Sequence, residues 1–281
     1  MYDFVFHRPA SVDEAANHLR GNDAKLLAGG QTLLPTMKLR LAAPKALVDL
    51  GAVSGLSAIE HTGGSLVMGK AEGAMVLRGG TLAIGALARH ADVASSSDVQ
   101  AAIPALASLA DGIGDPAVRN RGTIGGSIAN NDPAADYPAA CVALAATIVT
   151  NKREISADRF FTGLFETALE VDEIILRVVF PVPGRAAYAK FRNPASRYAI
   201  VGVFVAEQRG DVRVAVTGAG QSGVFRVAEM ERVLSNRFDA EAIAKVKVDP
   251  ASLVSDIHAA ADYRAHLINV MARRAVRTAA S

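Results

Sequence analysis

The chain has 281 residues, of which 51% are hydrophobic and 21% charged, a composition typical of a globular protein with one large or two ordinary domains. Its formal net charge of +2 is too small to indicate a nucleic-acid-binding protein. No apolar run reaches the roughly 20 residues of a membrane-spanning helix, and the N-terminus has no basic, cleavable leader, so the sequence predicts a cytoplasmic protein without a transmembrane segment.

The first 55 residues are predicted to form a small βαβ-like unit. An extended piece at 4–6 precedes a helix that ends near Arg20, where Ser11 and Glu14 form a capping box. Residues 25–28 read as a strand that leads into a glycine loop, and Thr32 is placed to cap the next helix. A second strand at 46–50 closes the unit.

The rest of the chain is predicted to form two further domains, which gives the α+β class overall. Between residues 56 and 181, strands at 65–68, 81–84 and 146–149 alternate with helices at 101–110 and 137–145. The segment 181–184 (PVPG) is a linker signal. Beyond it come strands at 187–191, 199–207 and 212–217, the last two joined as a hairpin, and then helices, the last at 260–278. The predicted domains are 1–55, 56–181 and 182–281.

Cysteine and histidine usage argues against a metal site in this chain. The single cysteine, Cys141, excludes an internal disulfide and an iron–sulfur cluster ligated by this chain alone. It lies in an apolar run and is predicted to be a buried structural thiol. The six histidines show no metal-binding spacing.

Two glycine loops, 28–32 (AGGQT) and 123–127 (TIGGS), are the most informative motifs of the chain. A glycine pair allows a turn with positive φ and brings backbone N–H groups close to an anion without an intervening Cβ. The loops therefore predict a clamp for the pyrophosphate of a dinucleotide. The alternative is that both are merely tight turns.

A third glycine motif, 218–223 (GAGQSG), matches the G-x-G-x-x-G fingerprint of dinucleotide-binding Rossmann units. Its context does not fit, because the preceding strand is predicted to be the second arm of an antiparallel hairpin and no apolar strand follows the next helix. We therefore interpret this motif as unrelated to nucleotide binding.

Seven segments together resemble the FAD-binding medium subunit of molybdenum hydroxylases, the family of carbon monoxide dehydrogenase and xanthine dehydrogenase. They are FVFHRP (4–9), SVDEA (11–15), LLAGGQTLLP (26–35), RNRGTIGGS (119–127), DPAAD (132–136), SRYAIV (196–201) and DIHAAADYR (256–264). The resemblance implies a two-subdomain FAD-binding domain of the vanillyl-alcohol-oxidase type. A C-terminal α+β domain with a three-stranded antiparallel sheet and helices would follow it.

The resemblance also implies a set of FAD-binding residues. The two loops would hold the pyrophosphate, and residues 25–33 would line the adenosine side. Asp136 would accept a hydrogen bond from the sugar region. Two isoleucines would lie near the flavin, and a lysine of the last domain would add a polar contact. The residues are Lys25, Leu26, Leu27, Ala28, Gly29, Gly30, Gln31, Thr32, Leu33, Ile113, Thr123, Ile124, Gly125, Gly126, Ser127, Asp136, Ile175 and Lys190.

Several of these residues have simpler interpretations, and two depart from the family pattern. Asp136 could be a helix N-cap, the isoleucines core residues and Lys190 a surface lysine. Gln31 stands where histidine is frequent, which implies non-covalent FAD. Ser127 replaces a frequent Asp or Asn, which removes that side-chain contact from the prediction.

The function implied by the resemblance is electron relay. A large partner would hold the molybdenum–pterin centre, a small partner two [2Fe–2S] clusters, and FAD in this chain would pass electrons to NAD, a quinone or another acceptor. Two alternatives remain. One is a stand-alone flavin oxidase or reductase that uses His61, His90 or Tyr198, and the other is an assembly subunit without flavin.

Overall fold

A computed structural model of the chain describes residues 1–20, 23–68 and 75–281. Its N-terminal part is a three-stranded parallel sheet in the order β1-β3-β2. The elements are β1 (Val5–His7), α1 (Val12–Leu19), β2 (Ala24–Leu27), α2 (Leu33–Lys38) and β3 (Ala46–Asp49). Half of the predicted capping box is confirmed, because the Glu14 amide donates to Ser11 Oγ at 3.2 Å, but the Glu14 carboxylate accepts from the Ala10 amide rather than from that of Ser11. The predicted cap of α2 is wrong, since the Thr32 side chain accepts no capping hydrogen bond from the described residues.

The middle part is built around a five-stranded antiparallel sheet in the order β4-β7-β12-β8-β9, with most of its helices inserted between β7 and β8. In chain order its elements are β4 (Ile59–Thr62), β5 (Ser65–Met68), β6 (Met75–Arg78), β7 (Thr81–Gly85), α3 (His90–Ser95), α4 (Ser97–Ala102), α5 (Pro104–Asp111), α6 (Pro116–Arg119), α7 (Ile124–Asn130), α8 (Tyr137–Ala143), β8 (Thr147–Thr150), β9 (Glu154–Ser156), α9 (Ala157–Phe160), β10 (Phe161–Gly163), β11 (Glu166–Thr167) and β12 (Ile175–Pro181).

The helix predicted at 101–110 is two helices. Pro104 cannot donate a backbone hydrogen bond, so it begins α5 rather than continuing α4, and Ile103 between them has φ of −140°. Cys141 is buried within α8, as predicted.

The C-terminal part is an antiparallel sheet in the order β13-β14-β15-β16 covered by helices. Its elements are β13 (Arg185–Arg192), β14 (Ala199–Gln208), β15 (Asp211–Thr217), β16 (Phe225–Arg226), α10 (Ala228–Asn236) and α11 (Ala261–Ala280). The sheet has four strands where the resemblance implied three, because the two-residue β16 pairs with β15. Arg226 lies in β16, and the helix that follows begins at Ala228.

The α+β class is confirmed, and each part has its own apolar core cluster. The middle cluster also includes Phe204 and Ala215 from the C-terminal sheet, so the two cores are in contact. No helix of the described residues is long and apolar enough to cross a membrane.

Candidate functional site

A cleft of about 690 Å³ lies where the three parts of the chain meet. Its walls come from the segment around β2 and the first glycine loop, from the second glycine loop and its neighbours, from the segment before β12, and from residues 196–198. The volume is in the range of cofactor-sized sites. Both predicted glycine loops therefore face one cleft, although 94 residues separate Gly29 from Thr123.

The first loop offers free hydrogen-bond donors to this cleft. It leaves the end of β2 and turns at Gly30, which has φ of +74°. The backbone N–H groups of Gly29, Gly30 and Gln31 donate to no group of the described residues. Free amides in a glycine turn form an anion-binding site.

The two loops touch through glycine positions. A Cβ on Gly29 would lie 2.0 Å from the carbonyl oxygen of Arg121, just before the second loop. A Cβ on Gly126 would lie 3.8 Å from that of Ala28. Gly29 does not have positive φ, so the requirement for glycine here is close approach of two backbones rather than an unusual turn.

The second loop is the first turn of α7, and its amides are already used. Thr123 Oγ1 accepts from the Gly126 N–H at 3.1 Å, and the Gly125 N–H donates to Ala86 O at 2.9 Å. A Cβ on Gly125 would lie 2.6 Å from that of Ala86. The second loop thus supplies a wall of the cleft, whereas the free donors predicted for both loops are found in the first.

Asp136 lies at the cleft wall and is 4% exposed. It precedes α8, but its side chain caps nothing among the described residues. It accepts instead from the Tyr188 hydroxyl and from Lys190 Nζ, the latter at 2.9 Å. The interpretations of Asp136 as a helix cap and of Lys190 as a surface lysine are therefore wrong.

All but two of the predicted cofactor residues line the cleft. Ile124 is 0% exposed and belongs to the middle core cluster. Lys190 does not line the cleft and reaches it only through Asp136. Ile113 and Ile175 do lie at the cleft wall.

His90, which the sequence suggests only for the alternative of a stand-alone enzyme, lies at the cleft wall. It is buried, lines the cleft, and packs against Gly122, on which a Cβ would lie 2.5 Å from His90 Nε2. Burial, aided by the charge of Arg119, lowers the pKa of His90 to about 4, so the imidazole is neutral near pH 7. A neutral ring in this place can hydrogen-bond but carries no charge.

Sequence reasoning missed the segment before β12, which supplies Phe165, Leu169, Val171 and Glu173 to the cleft. Glu173 anchors it: Arg153 Nε and Nη2 donate to its two carboxylate oxygens, each at 2.9 Å. Burial opposes the charge of Glu173, but the hydrogen bonds from Arg153, the Glu170 amide and Thr150 outweigh it and lower its pKa to about 2. The segment has no glycine motif that could have revealed it.

Replacing Glu173 by glutamine is expected to lower the free energy of unfolding by about 2 kcal/mol at pH 7, because Arg153 loses its buried charged partner. The folded-state pKa lies below the ordinary 4.5, so the wild-type advantage is present above about pH 4.5 and shrinks as pH falls towards 2. Urea unfolding of both proteins at several pH values measures it. The exposed pair Glu229–Arg232 provides the control, since Glu229→Gln should leave the free energy of unfolding almost unchanged. Equal losses in the two variants would contradict the anchoring role.

The third glycine motif does not open a parallel βαβ unit. Strand β15, which precedes it, runs antiparallel to β14, and the Gly218 N–H donates to Pro133 O at 2.8 Å. None of residues 218–223 lines the cleft. The interpretation against a Rossmann unit is confirmed by this topology.

The comparisons with known proteins agree with a flavin site. Residues 2–183 match the family model "FAD binding domain in molybdopterin dehydrogenase". The carbon monoxide dehydrogenase medium chain of Hydrogenophaga pseudoflava is 34% identical, covering 98% of this chain and 96% of the relative. The nicotine 6-hydroxylase medium subunit of Paenarthrobacter nicotinovorans is 35% identical, covering 95% of this chain and 94% of the relative. A structure of reconstituted CO dehydrogenase from Oligotropha carboxidovorans superposes with a TM-score of 0.84 at 30% identity, covering 99% of this chain and 98% of that one.

A family model that matches most of the chain, together with full-length relatives, defines the class as flavoprotein subunits of oxidoreductases. The chain belongs to the FAD-binding medium subunits of the molybdenum hydroxylase family. Its cleft fits that cofactor on its own geometry. The free amides of the first loop line it, Gly29 approaches the Arg121 backbone too closely for a Cβ, and both apolar and polar side chains line the rest.

Proposed function

We propose that this chain is the electron-relay subunit of its complex. A large molybdenum–pterin partner would pass electrons to the [2Fe–2S] clusters of a small partner. This chain would accept them from those clusters and pass them to an external acceptor such as NAD or a quinone. The observation that carries the proposal is a cleft of cofactor size that both glycine loops line, in a chain whose one cysteine is buried and so cannot ligate a cluster. The cytoplasmic location stays a prediction.

Within the cleft, we assign roles from the position of each group. The amides of Gly29, Gly30 and Gln31 would bind the pyrophosphate, and residues 25–33 would lie along the adenosine side. Ile113 and Ile175 would contact the flavin, and the Asp136 carboxylate would accept from a sugar hydroxyl. Gln31 offers no nucleophile for a covalent bond, so the cofactor would be released by acid. When bound, FAD supplies the two-electron redox chemistry.

The domain division 1–55, 56–181 and 182–281 is part of the proposal. It is supported by the three larger sheets, one in each of these ranges, and by three core clusters. The division puts the cleft at the junction of all three domains, where ligand sites are common.

The experiment uses the chain with its bound FAD and the small iron–sulfur subunit from the same source. The small subunit is reduced with dithionite, freed of excess reductant, and mixed anaerobically with this chain in a stopped-flow instrument. We expect the oxidised-flavin absorbance to fall as the iron–sulfur absorbance recovers, and added acceptor to reverse the flavin change. No transfer between the two subunits would contradict the relay.

The same material separates the alternatives. Carbon monoxide and nicotine, which the names of two relatives suggest, are mixed with this chain in the absence of partners. Direct bleaching of the flavin by either would favour a stand-alone flavoenzyme. Protein that is folded yet neither contains nor binds FAD would favour the assembly subunit.

A further inference from the structure

A buried polar cluster joins the cleft to the C-terminal sheet. Asp136 lies at the cleft wall. Its two carboxylate oxygens accept hydrogen bonds from two residues of β13, Tyr188 and Lys190. The side chain of Lys190 is 9% exposed and also donates to Gly112 O at 3.2 Å. Neither β13 residue lines the cleft. The hydroxyl of Tyr188 therefore acts on a bound molecule through Asp136.

The position of the Tyr188 hydroxyl depends on a glycine in the neighbouring strand. A Cβ on Gly202 of β14 would lie 2.2 Å from Tyr188 Oη and 2.9 Å from its Cζ. Gly202 does not have positive φ, so the backbone conformation does not require glycine there. Glycine is required at this position because the Tyr188 side chain occupies the space of a Cβ. Tyr188 also packs against Phe204, its cross-strand neighbour in β14, with ring centroids 6.0 Å apart.

We propose that Tyr188, seated in the niche left by Gly202, is a positioning residue for FAD binding, which orients the Asp136 carboxylate towards the cleft. The proposal rests on the proposed role of Asp136 as acceptor for a hydroxyl of FAD. A carboxylate accepts such a bond from any direction of approach only when it is ionised, whereas the protonated form has one oxygen converted to a donor. A fixed orientation also lowers the entropy lost on binding.

The charges around Asp136 set the expected pH dependence. The groups that face it are Tyr137 from α8, Tyr188, Lys190 and Arg192 from β13, and Tyr198 from the following loop. Burial raises the pKa of Asp136, and the charge of Lys190 and the Tyr188 hydrogen bond oppose that rise. Removing the hydroxyl should therefore raise this pKa further. FAD affinity should be full above the pKa of Asp136 and decline as pH falls through it.

The test measures the dissociation constant of FAD from the full-length apoprotein by quenching of flavin fluorescence between about pH 5 and pH 9. Tyr188→Phe is expected to weaken binding about tenfold near pH 7 and to move the midpoint of the pH profile up by about one pH unit. Gly202→Ala should reproduce both effects by displacing the hydroxyl. The double variant should show the midpoint shift of Tyr188→Phe alone, because the same hydrogen bond is lost once.

Gly184→Ala is the matched control, since its added Cβ would lie 3.5 Å from the nearest atom, and its profile should equal that of the wild type. A lower affinity with an unchanged midpoint in Tyr188→Phe would mean a packing role only and would overturn the proposal. An unchanged affinity would overturn it too. If Gly202→Ala fails to fold, Tyr188→Phe still decides the question. Wild-type protein that binds no FAD at any pH would instead contradict the proposed function itself.

Discussion

Replacing Gly29 by alanine is expected to remove FAD from the purified protein. The added Cβ would lie 2.0 Å from the Arg121 carbonyl oxygen and 2.9 Å from the Gly122 Cα, both backbone atoms that cannot rotate away. The two glycine loops would have to move apart, and the free amides of the first loop would leave their place. We expect a loss of at least about 2 kcal/mol of binding free energy, about thirtyfold in affinity.

Flavin content after purification and titration of the apoprotein with FAD measure this effect. The control is again Gly184→Ala, which should retain full flavin. Far-UV circular dichroism establishes that both proteins are folded. Full FAD affinity in folded Gly29→Ala would show that the contact between the loops does not shape the site.

Replacing Gly125 by valine is expected to abolish FAD binding by a different route. Gly125 is helical, and Ala86 occupies the space that a side chain there would need. The Cβ, O and Cα atoms of Ala86 would lie 2.6, 2.7 and 2.9 Å from a new Cβ. Overpacking at this point pushes the first turn of α7 away from the end of β7. The free energy of unfolding should fall by about 3 kcal/mol as the wall of the cleft is displaced.

The comparison with Gly29→Ala separates the roles of the two loops. Gly125→Val should lower both the urea midpoint and the FAD affinity, because the second loop is part of the core. Gly29→Ala should lower mainly the affinity, because Gly29 is only partly buried. Normal stability with lost binding in Gly125→Val would contradict a structural role for the second loop.

Much of the cleft could be predicted because its signals are local. A glycine pair after a strand, as at 28–32, is visible in a few residues, and the small-residue requirement is the same whether it arises from φ or from close approach. Of the two reasons that the sequence suggests for these glycines, close approach applies to Gly29 and Gly125 and positive φ does not. Only Gly30 among the four loop glycines has positive φ. The distinction needs the atoms of Arg121 and Ala86, which lie far away in the chain.

The G-x-G-x-x-G match at 218–223 is a glycine motif whose local signal does not correspond to a site. Its sequence fits a nucleotide fingerprint, yet the Gly218 amide is used by Pro133 and the strand before it is antiparallel. Short motifs indicate backbone freedom, and the surrounding topology decides what that freedom serves. Here the sequence itself predicts the antiparallel hairpin before the motif, and that hairpin argues against a Rossmann unit.

By itself, the sequence determined the α+β class, the family, the two glycine loops that meet at one cleft and the lack of cysteines for an iron–sulfur cluster. These depend on composition, periodicity and short motifs, which are properties of neighbouring residues. The tertiary structure alone decided that the free amides lie in the first loop, that Glu173 anchors one wall, and that Tyr188 holds Asp136. Each of these depends on a contact between residues distant in the chain, and such contacts are set by packing, which leaves no periodic trace in the sequence.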